Sequence, residues 1–204
     1  MKTKSRHRLI ASTTLDEPQA SRRGFLLSSG LALAALSLGC ARPSVAAAPR
    51  MAASTGPVIL VEFANNGVRL KTVSVPRITY TDAVWRQRLS ASAYQVARQQ
   101  GTERPYSGRY NSNHVAGVYR CIGCATALFD SSTKFESGTG WPSFWQPIAK
   151  ANVAEHSDRT LGMARTEVAC ARCDSHLGHV FEDGPRPTGL RYCMNSVSLD
   201  FTPA

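Results

Sequence analysis

Two short segments near residue 60 are rich in branched apolar residues. Residues 58–63 read Val-Ile-Leu-Val-Glu-Phe, and residues 68–75 read Val-Arg-Leu-Lys-Thr-Val-Ser-Val. The four residues between them, 64–67, are Ala-Asn-Asn-Gly, and Asn-Gly is a strong turn signal between β-rich runs. The pattern therefore predicts a β-hairpin, which we assign to an N-terminal extension over residues 58–80.

The pattern after residue 80 predicts two short helices. Either Thr81 or Asp82 can cap the N-terminus of a first helix that carries Leu89. Ser90 can cap a second helix, which we expect to end at Gly101. We expect these helices to cover a β core.

From residue 115 onward the chain contains only short β-rich runs, broken by Gly, Pro and Asn. The runs cover residues 115–121, 162–170 and 190–201, and no segment has the long amphipathic period of a further helix. The sequence thus predicts a mainly β fold with largely antiparallel strands, in a domain that spans residues 81–204.

The composition is that of a folded protein. The chain has 204 residues, of which 43% are hydrophobic and 19% charged. The length suffices for one compact domain or two small ones. The composition excludes a wholly disordered chain and a polytopic membrane protein. The formal net charge is +10, but residues 49–204 hold only 17 basic against 12 acidic residues. Because that surplus is modest, we expect no nucleic-acid partner.

The first 48 residues have the pattern of an export signal. Arg22 and Arg23 precede Gly-Phe-Leu-Leu and an uncharged stretch, which resembles a twin-arginine signal peptide. The stretch is short for a span of ~20 apolar residues, so we expect no stable membrane span. Cleavage after Ala48 would leave residues 49–57 as a linker on a periplasmic protein, with the twin-arginine machinery as a partner. The alternatives are an N-terminal membrane helix and a lipid anchor on Cys40.

The cysteine spacing predicts a metal site. Cys121 and Cys124 form one CxxC pair, Cys170 and Cys173 form another, and residues 125–169 separate them. Two such turns can place four thiolates tetrahedrally around one structural Zn²⁺, and loop-closure entropy rises only logarithmically with loop length. The alternatives are two disulfides, or a CxxC pair that acts as a thiol-disulfide oxidoreductase.

Cys193 is a candidate nucleophile. It lies in a strand-like stretch between Arg191 and Asn195, and a nearby cation favours a thiolate. His176 and His179 follow the second CxxC pair, and we expect the metal to hold their loop in place for acid-base work. The alternative is that Cys193 is a buried core cysteine.

Six motifs occur in order along the C-terminal part of the chain. They are Gly101-Thr102-Glu103, Gly140-Trp141-Pro142-Ser143-Phe144, His176-Leu177-Gly178-His179-Val180-Phe181, Asp183-Gly184-Pro185, Pro187-Thr188-Gly189 and Arg191-Tyr192-Cys193-Met194-Asn195-Ser196. From about Asp82 to Phe201 the chain resembles methionine-R-sulfoxide reductases of the MsrB type. The resemblance implies a fold of two antiparallel β-sheets and a structural zinc away from the active site. It also implies reduction of the R epimer of methionine sulfoxide in oxidised proteins, and it leaves open whether the free amino acid is a substrate.

The resemblance also implies a role for each residue of the site. Cys193 would be the nucleophile, and Trp141 the aromatic wall that receives the methyl group of the substrate. Three polar residues would hold the sulfoxide oxygen and supply protons, and one cation would favour the thiolate. These are His176, His179 and Asn195, with Arg191 as the cation. We expect Trp145 to be an ordinary core residue.

One position departs from the family pattern. Many members carry a second cysteine where this chain has Thr139. That thiol attacks the sulfenic acid of the nucleophile and forms a disulfide. Because threonine cannot do so, we expect the sulfenic acid on Cys193 to be reduced by an external thiol, from a thioredoxin-like or glutaredoxin-like protein or a small thiol.

A binding module is the remaining alternative. The double CxxC could form a zinc ribbon that docks a protein or nucleic acid, and would then need a basic, aromatic-lined face. Residues 115–201 contain no clustered Lys/Arg stripe, which disfavours this hypothesis. We expect the enzyme to be a monomer.

Overall fold

The computed structural model of the chain describes residues 56–159 and 164–204. The predicted signal peptide, Cys40 and most of the 49–57 linker lie outside these described residues, so they stay predictions. Within the described part of the chain, no helix has the length and apolar character needed to cross a membrane.

The predicted hairpin is confirmed. Strand β1 (Val58–Phe63) pairs antiparallel with β2 (Arg69–Val75), and Val58 lies opposite Val75. The turn between them is closed by a bond from the Gly67 amide to a carbonyl oxygen at 3.1 Å. Gly67 has a φ of 78°, a conformation that glycine adopts without strain.

Both predicted helices are present and are capped as expected. Helix α1 (Asp82–Arg88) is capped by the Thr81 side chain, and α2 (Ala91–Ala97) by the Ser90 side chain. The predicted end of α2 is wrong, because the helix stops at Ala97. The left-handed residue of its terminus is Gln100, with a φ of 55°.

Nine further strands and three short 3₁₀ turns follow in the described residues. The strands are β3 (Gly117–Cys121), β4 (Ala127–Asp130), β5 (Lys134–Phe135), β6 (Ser143–Phe144), β7 (Val153–Asp158), β8 (Arg165–Cys170), β9 (His176–Phe181), β10 (Arg191–Met194) and β11 (Leu199–Pro203). The 3₁₀ turns are Ser131–Thr133, Lys150–Asn152 and Ser196–Ser198.

These strands form two antiparallel sheets. The larger sheet has the order β5-β6-β10-β9-β8-β7, and the smaller has the order β11-β3-β4. The mainly β fold with antiparallel sheets is therefore confirmed. The predicted loop for the two histidines is wrong, since His176 and His179 lie on strand β9. Strands β8 and β10 pair with β9, one on each edge, and hydrogen-bond to its backbone.

Aromatic and aliphatic side chains of both sheets and both helices form the main core. Phe129 and Phe144 are fully buried and stacked, with ring centroids 4.4 Å apart. Trp85 of α1 and Tyr94 of α2 pack into the same core, so the helices cover the sheets as predicted. The core role expected for Trp145 is wrong, because its side chain is only half-buried.

Candidate active site and metal centre

A row of paired residues crosses the centre of the larger sheet. Cys193 on β10 pairs with His179 on β9 and with Ser143 on β6. His179 pairs in turn with Glu167 on β8. Directly paired residues of antiparallel strands have their side chains on one face of the sheet. Strand register therefore brings a thiol, an imidazole, a carboxyl group and a hydroxyl group onto the same face.

A bulge in β9 adds the second histidine. Two consecutive residues of β8 pair with Gly178 and His176, which leaves Leu177 as an extra residue. Residues three apart in a regular strand point to opposite faces, whereas a bulge can redirect a side chain. The rings of His176 and His179 accordingly lie together, with centroids 5.3 Å apart.

Each imidazole has an acidic partner. His176 Nδ1 lies 2.6 Å from Glu167 Oε1, and both side chains are buried. The other ring nitrogen of His176, Nε2, is buried and has no hydrogen-bond partner among the described residues. His179 Nε2 lies 2.8 Å from Asp158 Oδ2, which also accepts a bond from Arg165. The two carboxyl groups can stabilise the charge of a protonated imidazole.

Burial governs the protonation of His179. It lowers the pKa of the imidazole, and the hydrogen bond to Asp158 acts in the opposite direction without reversing the shift. The neutral form is therefore favoured in the free enzyme. Neither Asp158 nor Glu167 was predicted from the sequence. A signal existed for Glu167, since it is an acidic residue within the predicted 162–170 strand.

The Cys193 thiol is half-buried, and this burial raises its pKa. The Thr139 hydroxyl, Arg191 and Ser143 act toward the thiolate, but burial outweighs them. Arg191 acts in the sense that the family resemblance implies. Part of its charge is engaged by Asp183, through two bonds of 2.8 Å.

A chain of hydroxyl groups leads to the Cys193 sulfur. Ser137 Oγ lies 2.8 Å from both Ser143 Oγ and Thr139 Oγ1. Thr139 Oγ1 lies 3.9 Å from the Cys193 sulfur. These bonds hold the Thr139 hydroxyl beside the thiol.

Trp141 is attached to the nucleophile strand. The amide of Met194, the residue after Cys193, donates to the carbonyl of Pro142 at 3.0 Å. The half-buried indole donates from Nε1 to the backbone carbonyl of Glu103 at 3.2 Å. The first bond fixes the backbone next to Trp141, and the second fixes its indole.

Glu103 and Asn195 form a second connection around the same strand. The Glu103 carboxylate accepts the amides of Ser196 and Val197 at 2.7 and 3.0 Å. Asn195 Oδ1 accepts the Glu103 amide at 3.0 Å, and its Nδ2 donates to Leu177 at 3.1 Å. Both polar ends of the buried Asn195 amide therefore bind backbone. Glu103 lies within a sequence motif, Gly101-Thr102-Glu103, that did not predict this role.

The two CxxC pairs converge into one cluster. All four sulfurs lie within 4.8 Å of one another, and all are free thiols. The closest sulfurs belong to different pairs, at 3.5 Å for both Cys121–Cys173 and Cys124–Cys170. Sulfurs around a tetrahedral metal with bonds of ~2.3 Å are about 3.8 Å apart. The cluster can therefore hold one metal ion with protein ligands alone.

Comparisons with known proteins identify the family. The SelR domain matches residues 89–203, so the chain is a SelR-domain protein. It is 59% identical over 127 residues to the peptide methionine sulfoxide reductase MsrB of Pseudomonas putida strain W619, covering 62% of this chain and 96% of that protein. The same enzyme of Thiobacillus denitrificans strain ATCC 25259 is 58% identical over 123 residues, covering 60% and 93%. The chain belongs to the MsrB family of peptide methionine sulfoxide reductases.

Proposed function

We propose that the chain reduces the R epimer of methionine sulfoxide in oxidised proteins, with Cys193 as the nucleophile, and thereby repairs them. One observation carries this proposal. Cys193 shares a cross-strand row with His179, and the same bulged strand carries His176, whose buried Nε2 has no hydrogen-bond partner within residues 56–159 and 164–204. A buried nitrogen without a partner is suited to the oxygen of a bound sulfoxide.

The first step transfers one oxygen atom. The Cys193 sulfur attacks the substrate, the sulfur–oxygen bond of the sulfoxide breaks, and a sulfur–oxygen bond forms on Cys193. Cys193 is oxidised to a sulfenic acid as the substrate is reduced to methionine. The proton of the Cys193 thiol passes to the imidazole of His176 or His179 and from there to the departing oxygen, and Glu167 and Asp158 stabilise the transient imidazolium form.

The remaining residues of the site orient the substrate. Trp141 offers an apolar, polarizable surface for the methyl group. Arg191 favours the Cys193 thiolate, and Asn195 holds the segment that carries Glu103. With the methyl group held on Trp141 and the oxygen held by the histidines, only one hand of the chiral sulfur fits the site with its sulfur facing Cys193.

Recycling uses an external thiol. One thiol condenses with the sulfenic acid on Cys193 and releases water, and a second thiol opens the mixed disulfide. The reductant belongs to the thioredoxin-like, glutaredoxin-like or small-thiol class, and the enzyme acts as a monomer. Neither CxxC pair is free to cycle when all four sulfurs share a metal, which disfavours the thiol-disulfide oxidoreductase alternative.

We assign one Zn²⁺ to the cluster of Cys121, Cys124, Cys170 and Cys173. Four sulfur ligands suit zinc and leave no open position for a substrate, so the metal supplies stability. Elemental analysis should give one zinc per chain. Cys170→Ser should lose the metal and lower the free energy of unfolding by about 4 kcal/mol or more. A stable, metal-free wild-type chain would contradict the assignment.

Export to the periplasm by the twin-arginine pathway is also a proposal, supported by the sequence around Arg22 and Arg23. Replacing both arginines with lysine should abolish periplasmic accumulation in fractionated cells. N-terminal sequencing should place the mature start near Pro49. A lipid-modified Cys40 as the first residue would replace this proposal with membrane anchoring.

The proposed activity is tested with a peptide that contains one methionine sulfoxide, supplied as separated epimers with dithiothreitol. The R epimer should be reduced and the S epimer should remain. Cys193→Ser should abolish turnover, and Trp141→Ala should reduce it far more than the matched Trp145→Ala. Equal turnover of both epimers would overturn the assignment.

A further inference from the structure

The N-terminal hairpin, defined here as β1 and β2 over residues 58–75, lies outside the residues matched by the SelR domain. It packs against the second CxxC turn. Val58 and Leu60 are buried against Ala171, which lies between Cys170 and Cys173. The extension therefore contacts the metal-binding turn directly.

A buried amide ties the hairpin to the first CxxC segment as well. Asn152 accepts from the Val61 amide and donates to the Val61 carbonyl, both at 2.8 Å. Its Nδ2 also donates at 2.8 Å to Ala127, three residues beyond Cys124. The backbone carbonyl of Asn152 accepts the Ala171 amide at 3.1 Å. One fully buried residue thus joins the hairpin to both CxxC segments.

Two arginines add connections at the ends of the hairpin. Arg120, which immediately precedes Cys121, donates to the Phe63 carbonyl and to Asn65, both at 3.1 Å. Arg77, just after β2, donates to the Ala171 carbonyl at 2.8 Å. Each guanidinium therefore joins the extension to a different CxxC turn.

The hairpin also borders the cavity beside the least protected ligand. Cys124 is half-buried, whereas the other three cysteines of the cluster are buried. Cys124 lines a cavity of about 260 Å³, of which residues of β1 and β2 form one wall. Leu60, Phe63 and Val73 belong to that wall. A chelator or oxidant that approaches Cys124 from this cavity meets the hairpin.

We propose that the N-terminal hairpin is a metal-retention clamp: it holds the two CxxC turns together, covers Cys124, and thereby slows loss of the bound metal. The proposal rests on the zinc site assigned above. Ligand exchange at a closed four-sulfur site requires one turn to open, and local opening is slower when neighbouring contacts must break with it. The clamp therefore acts on the rate of metal release, and it leaves the catalytic residues untouched.

The test compares metal release from the full chain and a double variant, Arg77→Met with Arg120→Met. Arg69→Met is the matched control, because in the part of the chain that the structure describes Arg69 bonds within the hairpin alone, to Thr72 at 3.1 Å. Zinc content is measured first, and release into excess 4-(2-pyridylazo)resorcinol is then followed by absorbance. The double variant should release zinc about tenfold faster, since two charge-assisted connections are lost. The control should match the wild-type chain, and initial sulfoxide turnover should be equal in all three.

The outcomes separate the two proposals. Equal release rates from zinc-loaded proteins would overturn the clamp and leave the zinc assignment standing. A wild-type chain without metal would overturn both.

If the double variant does not fold, hydrogen exchange of the unaltered chain tests the proposal instead. Removal of zinc should raise hydrogen exchange in peptides over residues 58–75 as well as in those over the CxxC turns, because coupling between two sites is reciprocal. Unchanged exchange in the hairpin after zinc removal would overturn the clamp.

Discussion

The Thr139 hydroxyl oxygen lies 3.9 Å from the Cys193 sulfur, close enough to contact it. In family members with two cysteines, the same position of the chain carries the thiol that attacks the sulfenic acid. The hydroxyl of Thr139 is held by Ser137, which is bonded in turn to Ser143. Residue 139 is therefore already placed beside the Cys193 sulfur, and it carries a hydroxyl group where those members carry a thiol.

Thr139→Cys should change the recycling chemistry. After one turnover without reductant, the variant should contain a disulfide between the introduced thiol and Cys193, because a modest shift brings two sulfurs from this separation to bonding distance. Intact-mass measurement should show loss of two hydrogens and no dimedone adduct. Thr139→Ser is the matched control, in which dimedone should still trap a sulfenic acid on Cys193. A full dimedone adduct in Thr139→Cys, with no disulfide, would contradict the prediction.

Two variants should move the pKa of Cys193 in opposite directions. Burial raises this pKa and Arg191 lowers it, so Arg191→Met should raise it further. Asp183→Asn removes the carboxylate that offsets the Arg191 charge, and should lower it. The rate of alkylation by iodoacetamide follows the thiolate fraction, so its pH profile should shift up for the first variant and down for the second. Profiles identical to the wild-type curve in both variants would exclude a role for Arg191.

Glu103 should act as a positioning residue for Trp141 and the nucleophile strand. Glu103→Gln replaces one acceptor of the two backbone amides with a donor, and should lower the free energy of unfolding by about 1.5–3 kcal/mol. It should also reduce kcat/KM, and this loss should not add to that of Trp141→Phe, because both changes act on one connected unit. Urea unfolding and sulfoxide kinetics measure the two effects. Glu136→Gln is the control, since Glu136 is an exposed glutamate. Fully additive kinetic losses would place Glu103 outside the Trp141 connection.

The sequence was most informative where the signal is local. The Asn-Gly turn, the Thr81 and Ser90 caps and the spacing within each CxxC involve residues that are neighbours in the chain. The structure confirms the hairpin, both helix starts and the grouping of the four cysteines. The end of α2 shows the limit of such rules. The expected terminal residue was Gly101, but the left-handed conformation occurs one residue earlier, at Gln100.

Relationships across strands could not be predicted in the same way. The contact of His176 with Glu167 depends on the register of β8 and β9 and on the extra residue Leu177. That register is set by the packing of the whole sheet, and a shift of one residue would reverse the side-chain faces. The pKa of Cys193 could not be predicted for the same reason. Arg191 is a neighbour of Cys193 in sequence, but the burial that outweighs its charge comes from distant segments.

The free energy of unfolding should decrease in mild acid because of His179. Burial lowers the pKa of this imidazole in the folded chain below its unfolded value of about 6.5. The unfolded state therefore binds more protons between the two pKa values, and stability rises with pH across that interval. The contribution of neutral His179 to the free energy of unfolding is complete above about pH 6.5, and it is lost as the pH falls toward the pKa of the folded chain. His179→Gln should flatten this part of the curve in urea unfolding measured from about pH 5 to pH 7.5. His114→Gln is the matched control, because it replaces an imidazole whose side chain is 70% exposed. An equal slope in wild type and His179→Gln would mean that other groups account for the pH dependence.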